Sequence, residues 1–151
     1  MGRNPLFRIA RSWNDLIKVF IVRGIVFIEE QDCVYREEID EHEFGSIHIL
    51  GEQENQPMAA ARIRFLGDVA KLERIAIRKA YRGRNHGHDL VDYMLQVSRE
   101  HGFRKFKMHA QVYLRDFYAK HGFEVSGDIF QEAGIDHYLM IKEDIVKEDA
   151  P

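Results

Sequence analysis

The sequence has little of what marks several common classes of protein. Cys33 is the only cysteine, so no disulfide can form within the chain, which is typical of proteins from a reducing compartment. The most apolar stretch, residues 16–28, is too short to cross a bilayer and contains Lys18 and Arg23. It also begins too far along the chain to resemble a signal peptide. These absences predict a cytoplasmic protein with no membrane segment.

The composition lacks a strong bias as well. The net charge is -3, whereas proteins that bind nucleic acid usually carry a basic excess. Of the 151 residues, 45% are hydrophobic and 31% are charged, which is ordinary for a globular protein. There is no internal repeat, low-complexity tract or long linker. We therefore predict one domain over residues 1–151 and no nucleic-acid partner.

Hydrophobic periodicity predicts a mixed α/β fold. Ser12, with Asp15 three residues later, indicates the start of a largely apolar helix. A second helix ends at Gly102, and a third covers 113–121. The order β-α-β-β-β-α-β-α-β-β is that of a mixed sheet with helices packed on it. The predicted strands are 6–10, 44–50, 58–66, 69–77, 103–110, 123–125 and 137–141, with a tight turn at residues 67–68.

The segment after the strand 69–77 carries the clearest chemical signal. It is rich in glycine and positive charge and leads into a helix, whose first turn attracts phosphate through free backbone N–H groups. Gly83 and Gly87 allow a ligand to approach the backbone closely. The side chains that add charge are Arg82, Arg84 and His88. Spacing alone leaves a solvated glycine turn as an equal alternative, but neither a nucleoside triphosphate loop nor a dinucleotide motif fits.

Arg82, Asn85 and Gly87 have the spacing of a known signature. They resemble the Gln/Arg-x-x-Gly-x-Gly/Ala motif of the GNAT superfamily of N-acetyltransferases, with Asn85 in place of a glycine and His86 in place of an apolar residue. Asparagine tolerates the left-handed backbone conformation better than most residues. The resemblance implies a GNAT-like α/β fold, with a central, mostly antiparallel sheet flanked by helices, and acetyl-CoA as co-substrate without a metal. The implied coenzyme A-binding residues are Arg82, Gly83, Arg84, Asn85, His86, Gly87 and His88.

Further segments resemble the ElaA-type members of this family. Residues 117–123 follow the pattern aromatic-Tyr-x-x-x-Gly-Phe of the family's late helix and strand. Residues 23–40 resemble the first helix and the loop after it. Two shorter runs, 109–111 and 134–137, also fit the subfamily. The resemblance covers about residues 6–141, and its motifs agree in order and spacing.

The resemblance implies direct transfer of the acetyl group from the thioester to an amine in a ternary complex. Tyr118 matches the family's general acid, with a packed aromatic residue as the alternative. Glu73 is the candidate general base, acting directly or through water, and strand alternation puts it on one face with Ile75 and Ile77. The alternative for Glu73 is a surface or salt-bridged glutamate. Backbone groups of Ile75, Ala76 and Ile77 are implied to pair with the pantetheine arm.

An acidic stretch follows the first helix. In this family, the loop after the first helix borders the acceptor site. Only Arg36 opposes its acidic residues, so the stretch indicates either a cationic amine acceptor or a solvated charged loop. The acidic residues are Glu29, Glu30, Asp32, Glu37, Glu38, Asp40, Glu41 and Glu43.

The histidines do not predict a metal site. Only His86 and His88 are close in sequence, and no carboxylate or cysteine joins them at a ligand spacing. His137 either points into the acceptor cleft or makes a structural hydrogen bond.

The sequence therefore supports functions of different kinds. The first is an N-acetyltransferase that acts on an unidentified small-molecule, peptide or protein amine. The alternative is a non-catalytic acyl-CoA-binding regulatory module of the same fold, and a third candidate is a phosphate-binding protein that ignores pantetheine. The resemblance also makes a homodimer a candidate assembly.

Overall fold

The computed structural model describes residues 4–145, so the ends of the predicted domain, 1–3 and 146–151, lie outside the described residues. In that range the strands are β1 (Leu6–Ile9), β2 (Ile47–Gln53), β3 (Gln56–Leu66), β4 (Val69–Ile77), β5 (Lys105–Gln111), β6 (Glu124–Val125), β7 (Phe130–Glu132) and β8 (Ile135–Glu143). The helices are α1 (Trp13–Arg23), a π-helix (Gly24–Glu30), α2 (Tyr35–Glu38), α3 (His86–Glu100) and α4 (Arg115–Ala119). None of these helices is long and apolar enough to span a membrane.

The strands form one sheet in the order β1-β2-β3-β4-β5-β8-β6, with β7 paired to β8. Every pairing is antiparallel except that of β4 with β5. The predicted mixed, mostly antiparallel sheet with flanking helices is therefore confirmed. The predicted two-residue turn between β3 and β4 is present, and Gly67 in it has φ +61°, a conformation that glycine adopts without strain.

Several predicted boundaries were wrong. The strand predicted over 44–50 is observed at 47–53, because residues 41–45 form turns. The first helix does not stay α-helical but becomes a π-helix at Gly24. The spacing of apolar residues over only two turns does not distinguish a π-helix from an α-helix. β7 was not predicted, since three residues are too few to show alternation. The start of α1 is confirmed: Asp15 N–H donates to the Ser12 hydroxyl at 3.1 Å.

Two apolar clusters hold the helices on opposite faces of the sheet. One packs α1 against the sheet through Val19, Val22, Leu50 and Ala60. The larger cluster lies on the α3 face. Its largest buried members include Ile49, Met58, Ile63, Leu72, Leu90, Met94, Phe106 and Met108.

β4 contains a bulge that changes which side chains face α3. Arg74 has φ +53° and the register with β3 shifts at this point, as in a β-bulge. Before the bulge Leu72 packs in the α3 cluster, and after it Ile75 and Ile77 do. The prediction that Glu73 shares a face with Ile75 and Ile77 was therefore wrong, because the bulge interrupts strict alternation.

β4 and β5 separate soon after they begin to pair. Their parallel pairing covers only Val69–Lys71 and Lys105–Lys107, whereas β5 stays paired to β8 as far as Gln111. Beyond residue 71, β4 has no strand neighbour on the β5 side within residues 4–145. The sheet thus opens between its two central strands and leaves a free backbone edge on β4.

Buried arginines fasten the acidic segment to the sheet. Arg23 and Arg62 are fully buried. Arg23 donates to the carboxylates of Glu38 (2.8 Å) and Glu43 (2.8 and 2.9 Å). Arg62 donates to Asp40 (2.8 Å) and Glu43 (3.0 Å). The segment after α2 is therefore attached to β3 by charge, and part of the acidic stretch is neutralised inside the protein.

We expect Arg62→Met to lower the free energy of unfolding by about 3–5 kcal/mol, because it leaves buried carboxylates without their shared cation. Arg11→Met, at an exposed arginine, is the matched control and should change stability by less than about 0.5 kcal/mol. Urea unfolding of both variants measures the difference. Equal effects of the two substitutions would contradict a stabilising network.

Candidate active site

The predicted phosphate loop leaves β4 and leads directly into α3. Its backbone is left-handed at Gly83 (φ +82°) and at Asn85 (φ +64°), so the asparagine takes the conformation that a glycine would allow. α3 begins at His86, inside the span 81–88 that was predicted as loop. No described side chain caps the start of α3. Its first backbone N–H groups can therefore bind an anion such as pyrophosphate.

Packing holds this loop against α4. A Cβ added at Gly87 would lie 3.1 Å from the Phe117 ring, whereas one at Gly83 would meet nothing within 4 Å. Gly87 is thus required for close packing, and Gly83 borders open space that a ligand can enter. Because Tyr118 follows Phe117, this contact brings the loop and the candidate acid together.

The Arg82 side chain is already engaged. It donates to both carboxylate oxygens of Glu30 at 2.7 and 2.9 Å. Its Nε also donates to the Ile77 carbonyl oxygen at 2.8 Å. Arg82 therefore links the loop to the π-helix and to β4. Arg84, the second arginine of the loop, is exposed.

The two histidines of the loop are held in different ways. His88 Nδ1 lies 2.7 Å from His121 Nε2, and His121 Nδ1 lies 3.1 Å from the Asp92 carboxylate. Since a carboxylate accepts, His121 donates to Asp92 and accepts from His88. His86 is buried, and neither ring nitrogen has a partner among residues 4–145. His86 thus packs its ring in the position where the family prefers an apolar residue.

Tyr118 is buried in α4 with edge-on contacts to Phe117 (5.0 Å between ring centroids) and Phe123 (6.4 Å). Burial raises the pKa of Tyr118 well above its usual range, and the nearby Tyr113 adds to the effect. The hydroxyl therefore keeps its proton at neutral pH and is able to donate a hydrogen bond. Packing and proton donation, the two alternatives for this residue, are compatible.

Glu73 is the anionic centre of a buried ion cluster. Its carboxylate accepts from Arg64 (2.6 Å) and Arg62 (3.0 Å), and Lys71 lies at 2.9 Å. Burial alone would raise the pKa of Glu73, but the hydrogen bonds from Arg64 and Lys71 and the charge of Arg62 hold it at about 2. A carboxylate with so low a pKa is a poor base at neutral pH. The geometry supports the salt-bridged alternative.

β5 presents a row of polar side chains on the same face as Glu73. The register pairs Lys71 with Lys107, and alternation carries that face on to His109 and Gln111. Gln111 donates to Gln31 at 3.3 Å, which links β5 to the end of the π-helix. These groups border the gap between β4 and β5 on the side of the sheet covered by α1.

Glu132 of β7 is a residue that sequence reasoning missed. His109 Nδ1 lies 2.9 Å from its carboxylate, and His137 Nε2 lies at 3.8 Å. His137 Nδ1 donates to the Ile135 carbonyl at 2.7 Å, so the structural hydrogen bond considered for it is present. No group of three or more acidic, histidine or cysteine side chains within residues 4–145 could hold a metal ion.

Residues 25–144 match the family described as the acetyltransferase (GNAT) domain. The chain belongs to this family of acetyltransferases. This GNAT chain is 40% identical over 138 residues to a Bacillus subtilis (strain 168) protein provisionally named an acetyltransferase, covering 88% of this chain and 92% of that protein. It is 30% identical over 137 residues to protein ElaA of Escherichia coli (strain K12), covering 87% and 90% of the two chains.

Solved structures agree with the fold of this GNAT acetyltransferase. The crystal structure of Escherichia coli ElaA has a TM-score of 0.82 at 26% identity, covering 95% of this chain and all 100% of that chain. A GNAT family acetyltransferase from Elizabethkingia anophelis with acetyl-CoA bound has a TM-score of 0.68 at 11% identity, covering 93% and 98%. The predicted family, its ElaA-like character, the fold and the assignment as an acetyltransferase are confirmed.

Two substitutions of Asn85 test whether the left-handed turn of the loop supports the binding of acetyl-CoA. Asn85→Gly should bind acetyl-CoA at least as tightly as the wild type, because glycine accepts φ +64° without strain. Asn85→Val should weaken binding about tenfold, since a left-handed β-branched residue is strongly disfavoured and costs about 1–2 kcal/mol. Calorimetric titration of both variants measures the difference. Equal affinities would show that the left-handed turn does not support binding.

The pKa of Glu73 predicts a signature in acid. Its folded pKa of about 2 is below the ordinary value of 4.5, so its contribution to stability is complete above about pH 4.5. That contribution is lost as the pH falls towards 2. The difference in free energy of unfolding between wild type and Glu73→Gln should therefore shrink over this window. Urea unfolding at a series of pH values measures it, and a constant difference would contradict the ion cluster.

Proposed function

We propose that the loop from Arg82 to His88 holds the pyrophosphate of acetyl-CoA and that Tyr118 assists the departing sulfur. The observation that carries the proposal is the uncapped start of α3 beside a left-handed Asn85. Backbone N–H groups at a helix start favour an anion. Gly83 leaves room for it, and Arg84 adds positive charge. The residues present fit the acidic half of coenzyme A.

The free edge of β4 supports a place for the pantetheine arm. Residues Ile75, Ala76 and Ile77 lie beyond the last pairing with β5, and an extended ligand can add to an open strand edge. The Ile77 carbonyl already accepts from Arg82, so the proposed partners on this edge are chiefly the groups of Ile75 and Ala76. The side chains of Ile75 and Ile77 pack in the core.

Tyr118 would act on the sulfur through a proton that it holds firmly. A thiol has a pKa of about 8.5, and burial raises the pKa of Tyr118 well above the usual tyrosine value. Donation of a hydrogen bond to the developing thiolate is therefore favoured over early proton transfer. The acetyl-CoA thioester supplies the acyl group, and the protein orients it and stabilises the charge that develops on sulfur.

The acceptor is proposed to be a primary amine that enters from the α1 side of the gap. Half of the residues in the acidic stretch form ion pairs with Arg23, Arg62 and Arg82. Glu29, Asp32, Glu37 and Glu41 remain to attract a cation. The negative charge available to a cationic acceptor is thus smaller than the sequence suggests. The homodimer named above stays a prediction.

The test is thermal shift and calorimetry with acetyl-CoA, followed by turnover with benzylamine, spermidine and a lysine peptide. At a hundredfold excess over the dissociation constant, acetyl-CoA should stabilise the fold by about 2.7 kcal/mol. Gly87→Glu should abolish this stabilisation, because it crowds Phe117 and repels phosphate. Gln96→Glu, on an exposed turn of the same helix, is the charge-matched control.

Tyr118→Phe should bind acetyl-CoA normally and lose about 10²-fold in kcat. Tyr93→Phe, whose ring stacks on Phe7, should keep full turnover. A protein that is not stabilised by millimolar acetyl-CoA would contradict the proposal for the loop. Binding without turnover of any acceptor would instead support the non-catalytic module.

A further inference from the structure

His109 and Glu132 form a hydrogen-bonded pair that the proposed roles above leave unused. His109 comes from β5 and Glu132 from β7, and the bond from Nδ1 to the carboxylate is 2.9 Å. The Phe130 ring packs edge-on against His109 with 5.0 Å between centroids. The imidazole is therefore fixed on two sides, by a carboxylate and by an aromatic ring.

The bond decides which nitrogen of His109 is free. The hydrogen bond from His109 lowers the pKa of Glu132, so the carboxylate is ionised at neutral pH and accepts only. Nδ1 must then carry the proton and donate it. In the neutral ring this leaves Nε2 with an open lone pair, which is the state that a general base requires.

His137 is a natural comparison because it faces the same carboxylate. Its Nε2 lies 3.8 Å from Glu132, and its Nδ1 is occupied by the Ile135 carbonyl. The side chain of His137 is 9% exposed, whereas that of His109 is 27% exposed. An incoming amine can therefore reach the ring of His109 more readily than that of His137.

The position of His109 matches the gap in the sheet. It lies two residues beyond the last pairing of β5 with β4 and before the Gln111–Gln31 bridge. It shares a face with Lys71, Lys107 and Glu73, and Glu132 and His137 approach from β7 and β8. Of these groups, Glu73 is already paired with three cations, and Lys71 is one of those three.

We infer that His109 is the general base for the amine and that Glu132 positions it, an inference that rests on the proposed acetyl transfer. Nε2 of His109 takes one proton from the ammonium form of the acceptor and releases it to solvent. The neutral nitrogen forms the N–C bond as the C–S bond breaks. The nitrogen loses its second proton to solvent, and the thiolate, which accepts a hydrogen bond from Tyr118 as it leaves, takes one proton from solvent. Overall, one acetyl group moves and one proton is released.

The first test needs no acceptor. Nitrogen NMR of the histidine rings, with His109→Gln to assign the signals, shows which nitrogen is protonated. We expect Nδ1 of His109 to carry the proton and Nε2 of the neutral ring to be free. A proton on Nε2 of the neutral ring would overturn the inference, because that nitrogen could not accept another.

The second test is turnover of two probes that differ in their need for a base. Benzylamine is protonated at neutral pH and must lose a proton, whereas hydroxylamine is largely neutral. His109→Gln should lose about 10²-fold in kcat/KM with benzylamine and much less with hydroxylamine, with acetyl-CoA affinity unchanged. His137→Gln is the matched control and should keep the wild-type profile.

The Glu132→Gln variant distinguishes a positioning role of Glu132 from a merely structural one. The amide of glutamine can either accept or donate, so the neutral ring of His109 is no longer held with its proton on Nδ1. The NMR signal of Nε2 should shift towards that of a protonated nitrogen, and kcat/KM with benzylamine should fall. A merely structural residue would leave the ring nitrogens as in the wild type. The inference fails if His109→Gln keeps wild-type kcat/KM for benzylamine, or if His137→Gln or Glu73→Gln lowers it as much as His109→Gln does. A wild type that binds acetyl-CoA but acetylates neither probe contradicts the proposed transfer, and the NMR result then decides on the pair.

Discussion

The parallel pairing of β4 and β5 ends after three residues on each strand, at Lys71 and Lys107, and the rest of the site is arranged around that ending. A continuous pairing would satisfy the backbone of β4 and close the sheet. The early end leaves one edge of β4 available to an extended ligand. The bulge at Arg74 lies just beyond this point. It changes the face to which the following side chains of β4 point, and the pairing of β4 with β3 continues after it.

The charges around Arg62 have a structural purpose that follows from their burial. A fully buried guanidinium needs several acceptors to offset the loss of hydration. Arg62 finds them in Asp40, Glu43 and Glu73, which come from two segments far apart in sequence. The cluster thereby attaches the segment after α2 to the sheet and builds one wall of the gap. The same bonds that make Glu73 structural remove it as a base.

Local rules predicted the parts of the molecule that depend on neighbours in sequence. The cap at Ser12 and the left-handed Asn85 follow from the chemistry of those residues, and alternation located most of the strands. The bulge at Arg74 is not local, because it depends on the pairing with β3, in which two residues of β4 lie opposite one residue of β3. Glu132 was missed for a similar reason. Its strand exists only because β8 pairs with it, and no pattern in residues 130–132 indicates that partner.

In the proposed reaction, the two faces of the sheet separate the two halves of the chemistry. Tyr118 comes from the α3 side, where burial raises its pKa and keeps its proton in place. His109 lies on the α1 side, where a carboxylate directs one nitrogen and leaves the other open. A donor and an acceptor of protons on one face would tend to neutralise each other through a direct hydrogen bond. Separated by the opened sheet, each can meet its own partner, the sulfur on one side and the amine on the other.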